Sequence, residues 1–265
     1  MRLRLLPIFL LIFLLICNLS CNDSKVTLEP DTDVAKLQDD FINWWNYQSN
    51  TIRLAGNYIP LNQESEKISK EEFLIELTSG KFIPIQLISQ DNTHHYQLFP
   101  INEKAPISIS QTIKSNAITE LKFYKMEGVA FPNFNWTDLQ GNTYTNNTTK
   151  GKILVIKCWF INCYACIKEF PDLNALVETY STRKDIKFIS LALDEEEELN
   201  NFLKKNKFNY QVVPDQSDFL KHDLNIRYYP THFIIDKKGK VLKVVTNFED
   251  LEEAMKYDLE PTDKN

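Results

Sequence analysis

Ile153-Leu154-Val155-Ile156-Lys157-Cys158-Trp159-Phe160, then Cys163-Tyr164-Ala165-Cys166, then Ile167-Lys168-Glu169-Phe170-Pro171-Asp172-Leu173-Asn174-Ala175-Leu176-Val177: the reading of this stretch decides the fold. The first segment is an apolar, β-branched run of strand length. The last spaces its apolar residues as a helix does. Two cysteines three apart lie between them, in the strand–turn–helix context where a Cys-x-x-Cys motif carries redox chemistry. The spacing predicts that Cys163 opens the helix, where unpaired backbone N–H groups and the helix dipole favour an anion. Such a position lowers a thiol pKa from about 8.5 towards 7 or below and supplies thiolate near neutral pH.

Outward from this stretch, strands and helices alternate. Residues 134–145 read as a hairpin around Gln140-Gly141-Asn142, and 186–193 as a buried strand. Asp194 is expected to cap an acidic helix over 195–205. Residues 210–213 form a strand and 217–222 a short helix. Tyr229-Pro230 precedes a strand over 231–235, and Asp236-Lys237-Lys238-Gly239-Lys240 turns into a return strand over 241–246. An amphipathic helix over 248–257 closes the order, with Pro171 expected to kink the helix that begins at Cys163. Alternating elements with a terminal hairpin imply an α/β fold with helices on a central sheet.

Upstream, residues 33–48 read as one helix and 51–54 as a short strand. Ser69-Lys70-Glu71-Glu72 is a capping box opening a helix through Leu77, stopped by Gly80. Residues 82–88 and 95–99 read as strands and 111–126 as a helix. His94 and His95 fall beside Asp91 and Asn92. Adjacent residues of a strand point to opposite faces, which argues against a metal site there.

The 265 residues are 43% hydrophobic with a formal net charge of −6 and no Lys/Arg-rich stripe, which excludes nucleic acid as a partner class. Met1-Arg2-Leu3-Arg4 is a basic n-region, and residues 5–16 form an apolar stretch of signal-peptide length. Leu19-Ser20-Cys21 resembles the end of a bacterial lipobox, which makes Cys21 the lipidated first residue; a cleaved secretory signal and an uncleaved anchor are the alternatives. All three export the remainder. With Cys17 removed and Cys21 lipidated, Cys158, Cys163 and Cys166 remain, a redox-spaced pair plus one thiol and no disulfide framework.

The order of elements resembles the thioredoxin fold, and more closely the TlpA/ResA-like family of exported, membrane-tethered thiol–disulfide oxidoreductases. The resemblance spans about Gly128 to Asp250. It is carried by Pro132-Asn133-Phe134, Leu139-Gln140-Gly141-Asn142-Thr143, Gly151-Lys152, Trp159-Phe160, the Cys163–Cys166 tetrad, Glu169-Phe170-Pro171, Tyr229-Pro230-Thr231 and residues 233–240. It implies a thioredoxin-like α/β domain over 127–259; the upstream elements read as a smaller α+β domain over 33–126, after a signal peptide over 1–20 and a lipid-anchored tether over 21–32. It further implies that Cys163 attacks a partner's disulfide, Cys166 resolves the mixed disulfide, Pro230 is a cis-proline packed at the site and Trp159 forms an apolar wall. No cofactor is expected. The implied partners are disulfide- or dithiol-containing proteins of the bacterial envelope, an upstream electron donor, and the membrane through Cys21.

Three positions depart from the family pattern. Ala165 stands where a proline usually precedes the second cysteine, and Asn162 replaces a common tryptophan. Lys157 occupies the place of a buried carboxylate that takes the resolving thiol's proton, which a charged lysine cannot do. Glu169, one turn beyond Cys166, is either a substitute proton acceptor or a solvated or capping residue. Cys158 reads as a small buried hydrophobe and His232 as a strand residue facing away from the site.

Disulfide reductase is the function this pattern favours. A peroxiredoxin-like peroxidase shares the fold, but Phe160 stands where a peroxidatic cysteine has a threonine. A non-enzymatic Cu(I) chaperone would hold copper on Cys163, Cys166 and His232.

Overall fold

The computed structural model describes residues 28–90 and 93–259. The signal peptide, Cys17, Cys21, the first part of the tether and the Asp91–Asn92 pair lie outside the described residues. None of the described helices is long and apolar enough to cross a membrane.

The first half contains α1 (Val34–Leu37), α2 (Phe41–Thr51), β1 (Tyr58–Leu61), α3 (Lys70–Thr78), β2 (Phe82–Leu87), β3 (His94–Pro100) and α4 (Ile107–Tyr124). Its sheet runs β1-β3-β2, with β1 parallel and β2 antiparallel to β3. The single helix expected over 33–48 is two helices, because two aspartates each start one. Asp33 accepts from the backbone of Ala35 and Lys36, and Asp40 accepts from Asn43 N at 2.9 Å. The strand expected over 51–54 is absent: Thr51 ends α2, and the strand is β1 instead. Pro60 in β1 and Pro84 in β2 are tolerated because both strands are sheet edges. The capping box forms as its sequence predicts, with Ser69 and Glu72 bonded reciprocally.

The second half contains the hairpin β4 (Asn135–Thr137) and β5 (Thr143–Thr145), then β6 (Ile153–Trp159), α5 (Tyr164–Lys168), α6 (Phe170–Thr179), β7 (Ile186–Ala192), α7 (Glu196–Leu203), β8 (Gln211–Val213), β9 (Thr231–Ile235), β10 (Val241–Val245) and α8 (Phe248–Leu259). The five-stranded sheet runs β10-β9-β6-β7-β8. Strands β6, β7 and β8 are mutually parallel, whereas β9 runs antiparallel to β6 and β10 in turn runs antiparallel to β9. This is the thioredoxin-like arrangement, with the additional first half packed on it. A π-helical turn, Phe219–Asp223, replaces the short helix expected over 217–222.

Strand β6 is buried along its whole length, and its two faces feed different cores. Leu154, Ile156 and Cys158 join Phe123, Phe131, Trp136 and Phe233 on one face. Ile153 and Val155 meet Leu173 and Leu176 of α6 on the other, with Trp159 continuing that face toward Cys163, Cys166 and Phe170. Lys157 lies between Val155 and Trp159, on the α6 side of the sheet.

Two expectations about the helices around the cysteines are corrected. The chain does not kink at Pro171 within one helix; it breaks at Glu169, and Pro171 sits in the first turn of α6, where its missing N–H costs nothing. Asp194 does not cap α7, whose N-cap is Glu195 with no side-chain bond. Its carboxylate instead accepts from Ile161 N at 2.8 Å, tying the loop before Cys163 to the end of β7.

Candidate active site

Cys163 is the N-cap of α5, with extended backbone at φ −86° and ψ 94°. Cys166 N–H donates to Cys163 Sγ at 3.2 Å, and the two sulfurs are joined as a disulfide across a Cα–Cα distance of 5.2 Å. The turn is set by Cys163 N donating to Phe160 O and Ile167 N donating to Cys163 O, both at 3.1 Å. Cys166 is fully buried and Cys163 is only 7% exposed, so the residue that opens the helix lies in a shallow recess. Trp159 and Phe170 back the pair, while Tyr164 between the cysteines is 82% exposed and leaves the approach open.

Tyr229–Pro230 is a cis peptide. Tyr229 packs against the cluster that holds both cysteines and meets the Phe160 ring edge-on at 5.5 Å. Thr231 Oγ1 donates to Tyr228 O at 2.7 Å and closes this turn ahead of β9.

At the break between α5 and α6, three ionisable residues converge. Glu169 Oε2 accepts from Lys157 Nζ at 2.5 Å and lies 3.1 Å from His232 Nε2. Lys157 and His232 are fully buried. Glu169 is the N-cap residue of α6, but its side chain makes no capping bond; the carboxylate turns instead to Lys157 and His232. Burial acts to raise its pKa, but the bond and charge of His232 and then of Lys157 outweigh burial and hold the carboxyl below its ordinary value. Lys157 and His232 are both pushed down by burial, which outweighs the carboxylate beside them. An ionised carboxylate can only accept, so the hydrogen lies on His232 Nε2. Nδ1 is left buried and without a partner.

His232 thus faces the α6 side, not away from it, and it is occupied by Glu169. Among the described residues no group of three His, Cys, Asp or Glu side chains is placed to hold a metal, so the copper trio of Cys163, Cys166 and His232 does not assemble. His95 and His94 open strand β3, and His94 Nδ1 lies 3.0 Å from Gln86 Oε1. Cys158 is a free buried thiol on the opposite face of β6, and burial pushes its pKa far up. The pairing of Lys157 with His232 was not foreseen. The available signal was one charged or polar residue interrupting each of two adjacent apolar strands.

Comparison with known proteins follows the same boundary. The AhpC/TSA family profile matches residues 128–244. The thiol-disulfide oxidoreductase ResA of Bacillus thuringiensis subsp. konkukian is 33% identical over 135 residues, covering 50% of this chain and 78% of that protein. ResA of Geobacillus kaustophilus is 28% identical over 140 residues, covering 52% and 79%. The solved thioredoxin domain of a thiol-disulfide oxidoreductase from Bacteroides vulgatus aligns at 25% identity with a TM-score of 0.46, over 51% of this chain and 98% of that one. Because the stretch shared with most of a ResA protein is the stretch that folds around the disulfide, this chain belongs to the TlpA/ResA-like family of thiol–disulfide oxidoreductases.

Proposed function

We propose that the chain is exported and tethered to the membrane, and that it reduces disulfides of bacterial envelope proteins through a Cys163–Cys166 dithiol. The observation that carries the residue roles is the hydrogen bond from Cys166 N–H to Cys163 Sγ. After reduction, a donor aimed at that sulfur favours thiolate over thiol. The basic n-region and apolar stretch of residues 1–16 support export, and Leu19-Ser20-Cys21 supports a lipid anchor at Cys21.

In the proposed cycle Cys163 thiolate attacks one sulfur of the partner's disulfide; a mixed disulfide forms and the partner's other sulfur leaves as thiolate. Cys166 then gives up its proton and attacks Cys163 Sγ. The Cys163–Cys166 bond forms, the mixed disulfide breaks, and the second partner sulfur is released. Two electrons pass to the partner; its two sulfurs leave as thiolates, one of which is matched by the proton given up by Cys166, while the other takes its proton from solvent. An upstream dithiol donor restores the reduced enzyme. Cys166 is cut off from water, so its proton needs an internal acceptor. Glu169 fills that role as one member of the Lys157–Glu169–His232 group, with His232 Nδ1 as the open basic position. Pro230 borders the site where the partner chain docks. Residues 33–126 and 127–259 are the two folded domains in this reading.

Cys163→Ser is expected to abolish insulin-disulfide reduction, and Cys166→Ser to accumulate mixed disulfides with captured envelope proteins. Full activity in the Cys163 variant overturns the residue roles. Labelling with radioactive palmitate that survives Cys21→Ala overturns the anchor.

A further inference from the structure

A groove of 350 Å³ opens beside Pro230, and its walls come from both halves of the chain. Its lining includes Tyr228, Tyr229 and Pro230 from the second half, and Trp45 and Gln48 of α2 and Glu120 of α4 from the first. That volume suits a short run of extended polypeptide. The walls are held in place. Arg53, just past α2, pairs with Asp250 of α8 at 3.3 Å. Thr119 and Ser115 of α4 lie beside the Tyr228 hydroxyl and draw its pKa down. Tyr229 belongs at once to this groove and to the cluster holding Cys163 and Cys166, so groove and disulfide share a wall.

Several lining groups are poised for an occupant. Gln48 Oε1 is buried and accepts no hydrogen bond, which costs free energy unless something donates to it. Trp45 and Tyr228 keep 42% and 50% of their surface exposed, flat walls for an aliphatic stem. Glu120 is half-buried, and burial raises its carboxyl to about 7. Asp250 and Glu127 push in the same direction, while Lys70 and Lys243 oppose it through charge alone. An arriving cation would offset that desolvation and leave Glu120 ionised.

We propose that this groove receives an extended stretch of the partner polypeptide next to its disulfide, and that Glu120 selects a basic side chain, Lys or Arg, on that stretch. The proposal rests on the dithiol reading of Cys163 and Cys166. A partner N–H satisfies Gln48 Oε1, the basic residue's methylenes lie along Trp45 and Tyr228, and its charge meets Glu120. The first half of the chain is then a specificity wall, one that a small disulfide never touches.

The test uses the full chain in detergent, reduced, with three oxidants that release the same chromophore. These are neutral dipyridyl disulfide and two decapeptides carrying cysteine as a pyridyl mixed disulfide, alike except for Lys or Glu around the cysteine. The Lys peptide is expected to exceed the Glu peptide about ten-fold in the second-order rate constant of the single turnover, the scale of one charge-assisted contact. Glu120→Gln should erase that preference. Trp45→Ala, at an exposed position, should lower the rate constant for both peptides relative to dipyridyl disulfide. A Lys preference that survives Glu120→Gln, or peptide and dipyridyl rates that fall in step, overturns the groove assignment. A Cys163→Ser chain that still reduces dipyridyl disulfide overturns the dithiol reading itself, and that result is visible before any groove variant is made.

Discussion

Lys157 and His232 are register partners on adjacent antiparallel strands, and both side chains end on one atom, Glu169 Oε2. Two basic groups in a fully buried layer thus share a single acid at the break between α5 and α6. The pair replaces the lone carboxylate that the family resemblance places on this strand, and it keeps the acid one helical turn from Cys166.

Removing one charge from this group strands the other. Glu169→Gln leaves the Lys157 ammonium buried without a counter-charge, and a loss of about 3 kcal/mol is expected. Lys157→Met in the same background should restore part of that loss, because the second change removes the stranded charge. Urea unfolding followed by tryptophan fluorescence measures Glu169→Gln, the double variant and Lys157→Met alone. Strictly additive losses would show that the two side chains do not interact.

Acid should weaken the fold through His232. Its folded pKa lies below the unfolded value of 6.5, so the unfolded chain binds more protons as pH falls below 6.5. Stability contributed by the neutral ring is present above 6.5 and is lost on the way down toward the folded pKa. Glu169, also depressed, adds its own loss below its ordinary value of 4.5. The slope per proton is at most about 1.4 kcal/mol per pH unit. His232→Gln should flatten the fall in urea midpoint between pH 7 and pH 5 relative to the parent chain; equal slopes would contradict a buried neutral ring.

Cys158 should be chemically silent. Its thiol is fully buried on the far face of β6, and burial drives its pKa up. In the reduced native protein, iodoacetamide is expected to label Cys163 first and Cys158 only after denaturant is added. Peptide mass mapping after timed quenching separates the sites, and early label on Cys158 would contradict its placement.

Gly80 should resist replacement. It adopts φ +71° at the end of α3, and an added Cβ would come 2.8 Å from Ser110 Oγ, whose hydroxyl donates to Gly80 O at 2.6 Å. Gly80→Ala should cost at least about 1 kcal/mol from the left-handed backbone alone. In a Ser110→Ala background the loss should shrink, because the contact part of it is relieved. Thermal melts of the two pairs give the difference.

Much of the second half was legible because its strands are apolar runs bounded by turn signals: residues 153–159, 186–192, 231–235 and 241–245 fall where the pattern puts them. Proline hid β1, since a residue that cannot donate reads as a loop unless the edge position is known. Asp40 split one apparent helix into two by capping within the apolar pattern. Asp194 misled for the opposite reason: a good cap residue was drawn off by the backbone of Ile161, a contact distant in sequence. At the site, local spacing was enough to mark Cys163 and Cys166. The partnership of Lys157 and His232 was not legible, because it depends on which residues stand opposite each other across two strands.

Helix α4 has one further bearing. Its Ile109, Ile113 and Ala117 lie in the first half's core, whereas Phe123, near its end, is buried among Phe131, Trp136 and Phe233 in the second. The helix is a beam mortised into both buildings. Cutting the chain behind it would open a hole in the redox half and bare a ridge on the other, so heat should take the two down together, as one body with one melting point.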